Sequence, residues 1–281
     1  MSETVYLNGE LIQAVEAKLS PNDRGFIFAD GVYEVIKYYN GKPFRYEEHI
    51  KRLERSLSEI SIGFSTLDKY KEIFQKLLAL NNMDKKHAGV YLQITRGVNQ
   101  RVHFFPKNIQ PTEYAFAFEL PSFTEKLKSG IKAITQEDIR WLRCDIKSVS
   151  LLPNTMLFNQ AVEKGAGEGI LIRNGKVTEA THSSVLGVKN GKVITHPVSN
   201  LVLPGITRKV VLEICAENSI PVEERAILEN ELFELDEIII AGTGSEITPV
   251  IQVNDISIGN KKPGEITRLI QKKFFEMVYY H

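Results

Sequence analysis

Cysteine is scarce in this sequence: 281 residues contain only Cys144 and Cys215, in neither a Cys-x-x-Cys nor a Cys/His ligand spacing. Neither a disulfide framework nor a metal site is indicated, and a reducing cytoplasm is the expected compartment. An excess of either charge is also missing, since 35 Lys and Arg stand against 35 Asp and Glu. With no field of one sign to draw in a polyanion, nucleic acid is not an expected partner. No apolar run approaches the ~20 residues that cross a bilayer, and the opening Met1-Ser-Glu-Thr-Val-Tyr6 has no basic segment followed by an apolar one. Membrane insertion and secretion are therefore not expected. Absent too are the familiar short catalytic signatures: Gly-x-Ser-x-Gly, a phosphate loop ending in Gly-Lys-Ser/Thr, His-Glu-x-x-His, and Gly-x-Gly-x-x-Gly after a strand. Serine-hydrolase, nucleotide-triphosphatase and zinc-protease readings lose their main support.

What is present is a folding composition, 43% hydrophobic and 25% charged, on a chain long enough for one large domain or two modest ones. Four Asn-Gly pairs, at residues 8–9, 40–41, 174–175 and 190–191, lie between apolar or β-branched stretches. Each predicts a hairpin, because a two-residue type I′ turn needs positive φ at both central positions. Ile50, Leu53, Leu57 and Ile60 share one face of a helix expected over 47–60, and Ile73, Leu77 and Leu80 mark a second. Val90–Thr95 and Tyr114–Phe118 read as strands. Pro121 to Gly130, with charges between its Pro and Gly ends, reads as a linker, dividing the chain into parts 1–120 and 121–281. Beyond it are expected a strand near 131–135, a helix opened by Asn154 as N-cap, and two hairpins spanning 169–195. A helix is expected after Pro204-Gly205, and another from Pro263 to the C-terminus. The fold class is α+β or mixed α/β, in two parts.

Six polar clusters stand out in apolar surroundings. Asp30-Gly-Val-Tyr33-Glu-Val-Ile36 is a glycine turn feeding a strand that sends Tyr33 to one face. In Arg96-Gly-Val-Asn-Gln-Arg101-Val-His103-Phe-Phe-Pro106, Arg101 and His103 lie two positions apart, so in extended chain they point to one side and together suit a carboxylate. Trp141-Leu-Arg-Cys-Asp-Ile-Lys147-Ser-Val-Ser150 sets Lys147 among apolar neighbours, where partial desolvation favours the neutral, nucleophilic amine. Val177-Thr-Glu179 ends a hairpin strand with a carboxylate. Leu203-Pro-Gly-Ile206-Thr207-Arg208 opens a helix whose first backbone N–H groups suit a phosphate, and Ala241-Gly-Thr243-Gly-Ser is a loop of amide and hydroxyl donors. Taken alone, each also reads as an ordinary feature: a core tyrosine, a solvated loop, a surface lysine, a helix start or a tight turn.

Their order and spacing, over nearly the whole chain, resemble the class IV aminotransferases, the fold type IV enzymes dependent on pyridoxal 5'-phosphate (PLP), and within them the D-amino acid aminotransferases. The resemblance implies a smaller N-terminal α+β domain and a larger, barrel-like C-terminal one. It implies that Lys147 carries PLP as a Schiff base and moves the substrate proton, and that Glu179 faces the pyridine nitrogen. By the same likeness Arg52, the amides of Ile206 and Thr207, and Thr243 hold the phosphate, Leu203 packs on the ring, and Tyr33 lines the substrate side. Arg101 and His103 reach across a homodimer interface to grip the substrate α-carboxylate, a placement that selects D-amino acids such as D-alanine, with a 2-oxo acid such as 2-oxoglutarate as acceptor. Branched-chain L-aminotransferases and aminodeoxychorismate lyases resemble the same scaffold but lack the Arg-x-His-x-Phe-Pro stretch. A binding protein without catalysis is the remote alternative. The chain departs from the subgroup pattern at Ala180-Thr-His182-Ser-Ser184, where a serine run is common, and at Gly242, where a hydroxyl residue is expected before Thr243.

Overall fold

Each Asn-Gly pair closes a hairpin in the computed structural model, which describes residues 3–280 apart from 65, 123 and 124. At all four turns both φ angles are positive, as at Asn40 (49°) and Gly41 (78°). These turns join β1 (Thr4–Leu7) to β2 (Glu10–Gln13), β3 (Gly31–Tyr39) to β4 (Lys42–Pro43), β8 (Glu168–Arg173) to β9 (Lys176–Ala180), and β10 (Ser184–Lys189) to β11 (Lys192–Thr195). A turn that fixes its own backbone sign also fixes the register of its strands, so the local sequence sets which residues face the core.

The chain divides into two compact units, Met1–Pro121 with Ile146–Ser150, and Ser122–Asp145 with Leu151–His281. A single cut near 120 misses the excursion at 146–150, which the backbone of the first unit captures. The stretch read as a linker contains the short helix α4 (Glu125–Ser129), while Phe123 and Thr124 lie outside the described residues.

The first unit is built on an antiparallel sheet in the order β2-β1-β6-β5-β3-β4, where β5 is Ala88–Thr95 and β6 is Thr112–Glu119. Strand β3 alternates, with Val32, Ile36 and Tyr38 entering one core with Ile50, Leu53 and Leu57 of α2 (Tyr46–Glu59) and with Tyr70, Phe74 and Leu77 of α3 (Lys69–Leu80). Full burial of a side chain such as Leu53 is worth about 1.5–3 kcal/mol relative to exposure. Leu80, expected on the apolar face of the second helix, is instead 52% exposed, and Tyr70 and Phe74 take up that burial. The short helix α1 (Arg24–Phe28) is capped by Asp23, whose Oδ1 accepts the Gly25 N–H at 2.7 Å. The other oxygen of Asp23 accepts the Thr112 hydroxyl of β6 at 2.5 Å, which fastens the helix to the sheet.

The second unit has a nine-stranded mixed sheet running β12-β11-β10-β13-β14-β7-β8-β9, with β15 paired to β14. Here β7 is Ile131–Glu137, β12 Val222–Glu224, β13 Glu237–Gly242, β14 Glu246–Val253 and β15 Ile256–Ser257. Parallel pairing occurs at β7/β8, β7/β14 and β11/β12. Its core is aliphatic, including Ile170, Val177, Val185, Ile194, Ile238, Ile240 and Val250. Helices α5 (Leu152–Glu163), α6 (Ile206–Glu217) and α7 (Glu265–Tyr280) complete it. Asn154 does not cap α5: the helix starts two residues earlier with Pro153 in its first turn, and the Asn154 amide donates to the Thr181 carbonyl at 2.6 Å. No described helix is long and apolar enough to cross a membrane.

Candidate active site

Strand β4 pairs only with Tyr38 and Tyr39, leaving the N-terminal half of that β3 edge open. Residues 147–149 fill it. The Tyr33 N–H donates to the Lys147 carbonyl at 3.0 Å, and the Val149 N–H donates to the Gly31 carbonyl at 3.1 Å. From helix α2, the Ser56 hydroxyl accepts the Lys147 N–H at 3.3 Å. Thus fixed, Lys147 places Nζ 4.3 Å from the centre of the Tyr33 ring, which itself stacks on Tyr91 with 5.5 Å between centroids. An amine over a ring face is attracted to the ring's negative face whenever it carries a proton.

Arg52, expected at a phosphate, lies on the same helix and grips Glu34 of β3 with two prongs, Nε to Oε1 at 2.7 Å and Nη2 to Oε2 at 2.9 Å. His49 Nδ1 lies 2.8 Å from Glu34 Oε2. Glu34 is buried, which by itself raises a carboxyl, yet the charges and hydrogen bonds of Arg52 and His49 hold it well below the ordinary carboxylate range. Burial, with Arg52 and Lys147 as positive neighbours, pushes the His49 imidazolium down despite its bond to Glu34. Glu34 and His49 escaped the sequence reading. Their only local signal is a charge inserted into buried alternation, Val32-x-Glu34-x-Ile36, opposite a helix with His49 and Arg52 one turn apart.

Arg101 and His103 lie in irregular chain, not in an extended strand, and both are exposed. They still converge. The Arg101 guanidinium sits 5.2 Å from the Phe28 ring centre, and the His103 ring centroid is 5.5 Å from that of Phe28.

In the second unit, Glu179 of β9 is buried. Its Oε1 takes a short hydrogen bond from Arg140 Nη1, and its Oε2 accepts the Leu203 N–H at 3.1 Å. Arg140 also binds Asp138 through Nε and Nη2, both at 2.9 Å, so its charge is divided between two carboxylates. The Thr178 hydroxyl donates to Asp138 Oδ2 at 2.8 Å. Burial pushes the Glu179 carboxyl up, and Arg140 and the Leu203 amide offset this only partly. Asp138 and Arg140 were not among the expected residues, because their roles appear only when β9 is laid beside them.

Helix α6 begins at Ile206 with Gly205 as N-cap and no side-chain cap. A Cβ on Gly205 would lie 2.6 Å from Ser184 Oγ. Ile206 and Thr207 therefore begin a helix whose first turn is served by backbone N–H groups next to a hydroxyl, the arrangement that suits a phosphate. The turn containing Thr243 joins β13 to β14. Beside it Gly242 lacks a hydroxyl, but Ser183 Oγ is 2.8 Å from Ser245 Oγ, which brings hydroxyls to that point by another route. His182 packs against Phe158 at 4.8 Å and lies 3.3 Å from the Glu168 carboxylate. Within the second unit a buried acid, a helix start without a side-chain cap and a hydroxyl-lined turn are of the kind that suits a phosphorylated pyridine ring, and within the first unit Lys147 offers an amine of the kind that condenses with an aldehyde. The buried thiols of Cys144 and Cys215, each pushed up to about 11 by burial, are inert in comparison.

Residues 31–253 match the model of the family described as amino-transferase class IV. Among curated proteins, the chain is 43% identical over 272 residues to a D-alanine aminotransferase of Staphylococcus haemolyticus, covering 96% of each chain. It is 42% identical to the D-alanine aminotransferase of Bacillus licheniformis, covering 95% of this chain and 94% of that one. Among solved structures, a branched-chain amino acid aminotransferase of Escherichia coli superimposes with TM-score 0.92 at 26% identity, over 99% of this chain and 95% of that one.

Proposed function

The chain belongs to the class IV aminotransferases, and from that premise we propose that it transfers the amino group of a D-amino acid, typified by D-alanine, to a 2-oxo acid such as 2-oxoglutarate, using PLP. The observation that carries this reading is the Lys147 amine, tied to a sheet edge by two backbone hydrogen bonds and set 4.3 Å over the Tyr33 ring. The cofactor supplies an aldehyde that condenses with amines and a ring that accepts the electrons released when the substrate Cα–H bond breaks. Lys147 Nζ holds the aldehyde at rest and takes the proton from the substrate Cα during turnover. Glu179, aligned by Arg140 and the Leu203 amide, faces the pyridine nitrogen and keeps a proton on it. Arg52, the amides of Ile206 and Thr207 and the Thr243 hydroxyl hold the phosphate, Leu203 packs against the ring, and Tyr33 borders the substrate.

Arg101 and His103 take the α-carboxylate of substrate bound in a second copy of the chain, which makes the enzyme a homodimer. Support for that partner comes from Phe26, Phe104 and Phe105, large apolar rings exposed by 82, 70 and 53% around this segment. With amine and carboxylate grip both fixed, only one enantiomer presents Cα–H to Lys147, and the close likeness to D-alanine aminotransferases supports the D form. We place the enzyme in the cytoplasm, in keeping with two unpaired buried cysteines.

Single-turnover spectroscopy tests this reading. The PLP-loaded protein mixed with D-alanine should lose its yellow absorbance and release one equivalent of pyruvate, while L-alanine and L-leucine leave the spectrum unchanged. Bleaching by L-leucine with D-alanine ignored would overturn the substrate while leaving the cofactor.

A further inference from the structure

The two residues read as the carboxylate grip stand on exposed, irregular chain, so their geometry needs an outside support. Phe28, at the end of α1, is the ring that both touch. Arg24, one turn earlier on the same helix, holds its guanidinium 4.7 Å from that ring centre. Arg24 also donates from Nη1 to the Val102 carbonyl at 2.6 Å, the peptide between Arg101 and His103. Its Nε donates to Asp30 Oδ2 at 2.7 Å. Asp30 in turn receives Arg96 twice, Nε to Oδ2 at 2.8 Å and Nη2 to Oδ1 at 3.0 Å. Arg96 lies 3.6 Å over the Phe105 ring and donates to the Ile60 and Ser61 carbonyls at 2.6 and 3.0 Å. The segment is thus clasped at both ends, at Val102 and at Phe105, by two buried arginines joined through one carboxylate.

Long exposed side chains lose rotamer freedom when they grip a ligand, and any ordering already present reduces that cost on binding. We propose that Phe28, carried by Arg24 and Asp30, is a positioning residue for substrate binding: its ring pre-orients Arg101 and His103 toward the α-carboxylate. This rests on the reading of Arg101 and His103 given above. Phe28 makes no contact with the reacting atoms in this account. Its effect passes through the two residues it touches.

The test uses the PLP-loaded enzyme and Phe28→Leu, which keeps apolar volume and removes the ring. Loss of two ring contacts predicts a KM for D-alanine raised about tenfold. The inhibition constant of propionate, a carboxylate without an amino group, should rise by the same factor, with kcat and the dissociation constant for PLP little changed. A merely structural role would alter PLP affinity and kcat together with KM. Phe28→Tyr restores a ring and should recover most of the loss. Arg24→Lys keeps a charge beside Asp30 but lacks the Nη1 donor to Val102, and should raise both constants by a smaller factor, which also serves if Phe28→Leu does not fold. Arg101→Ala separates the two levels. If it raises both constants while the Phe28 and Arg24 variants leave them at parent values, the positioning role is wrong and the grip stands. If Arg101→Ala itself changes neither, the grip is wrong and the positioning role falls with it.

Discussion

Each unit buries one glutamate beside an arginine, and the two carboxyls settle in opposite directions. Glu34, in the antiparallel unit, has both oxygens bound by Arg52 and one also by His49, and it is held below the ordinary carboxylate range. Glu179, in the mixed-sheet unit, shares Arg140 with Asp138 and is raised above that range. Burial is similar, so the partner count decides the outcome. A carboxyl held on both oxygens by one guanidinium, with an imidazole as a further partner, is a fixed structural anion. One whose cation is divided stays responsive to its surroundings, which suits the role proposed for Glu179 at a ring nitrogen.

Neutralising each acid in turn breaks the comparison most strongly. Glu34→Gln leaves Arg52 without its charge partner in the interior and is expected to cost about 3–5 kcal/mol of stability, read by denaturant unfolding. Glu179→Gln should cost well under that, because Arg140 keeps Asp138, yet it should depress turnover far more than a comparable loss of stability explains. Equal stability costs for the two variants would contradict the distinction.

Arg140→Met sharpens it. With its cation gone, Glu179 should move further up, and the pH titration of the bound cofactor's absorbance should shift by about a unit or more relative to the parent. An unchanged titration would show that Arg140 has no hold on the acid.

The pH dependence of stability gives a smaller effect with a sign for each group. His49 is lowered from 6.5, so its share of stability is present above that value and is lost as pH falls through it. Glu34 is lowered from 4.5 and acts in the same direction at more acid pH. Glu179 is raised from 4.5, so its contribution is present below that value and is lost as pH rises through its folded value. His49 should therefore lower the thermal stability of the parent as pH falls from 7 to 5, with Glu179 acting in the opposite sense. His49→Gln, which retains a polar group near Glu34, should flatten that limb.

The hairpins were legible because Asn-Gly carries its own backbone sign, and the helix expected over 47–60 because its apolar period is unbroken. Lys147, Glu179 and Arg52 were singled out only through ordered spacing, since nothing local separates them from surface charges, and their roles at the cofactor stand as proposals. The capture of 146–150 by the first unit could not be read, because two backbone hydrogen bonds to β3 decide it and backbone groups carry no sequence. Glu34 with Arg52, Asp30 with Arg96 and Arg140 with Glu179 lie 18, 66 and 39 positions apart, so their pairing exists only after the chain has folded. Asn154 shows the converse: a good capping residue was claimed by a distant carbonyl once Pro153 had begun the helix.

The central claim is that the amine of residue 147 bears the aldehyde. Borohydride reduction of the PLP-loaded protein, followed by digestion and mass analysis, tests this directly. One pyridoxyl phosphate adduct on the peptide containing Lys147, and none when Lys147→Ala is treated alike, is the predicted result. An adduct on another lysine, or full reduction without any adduct, would contradict it.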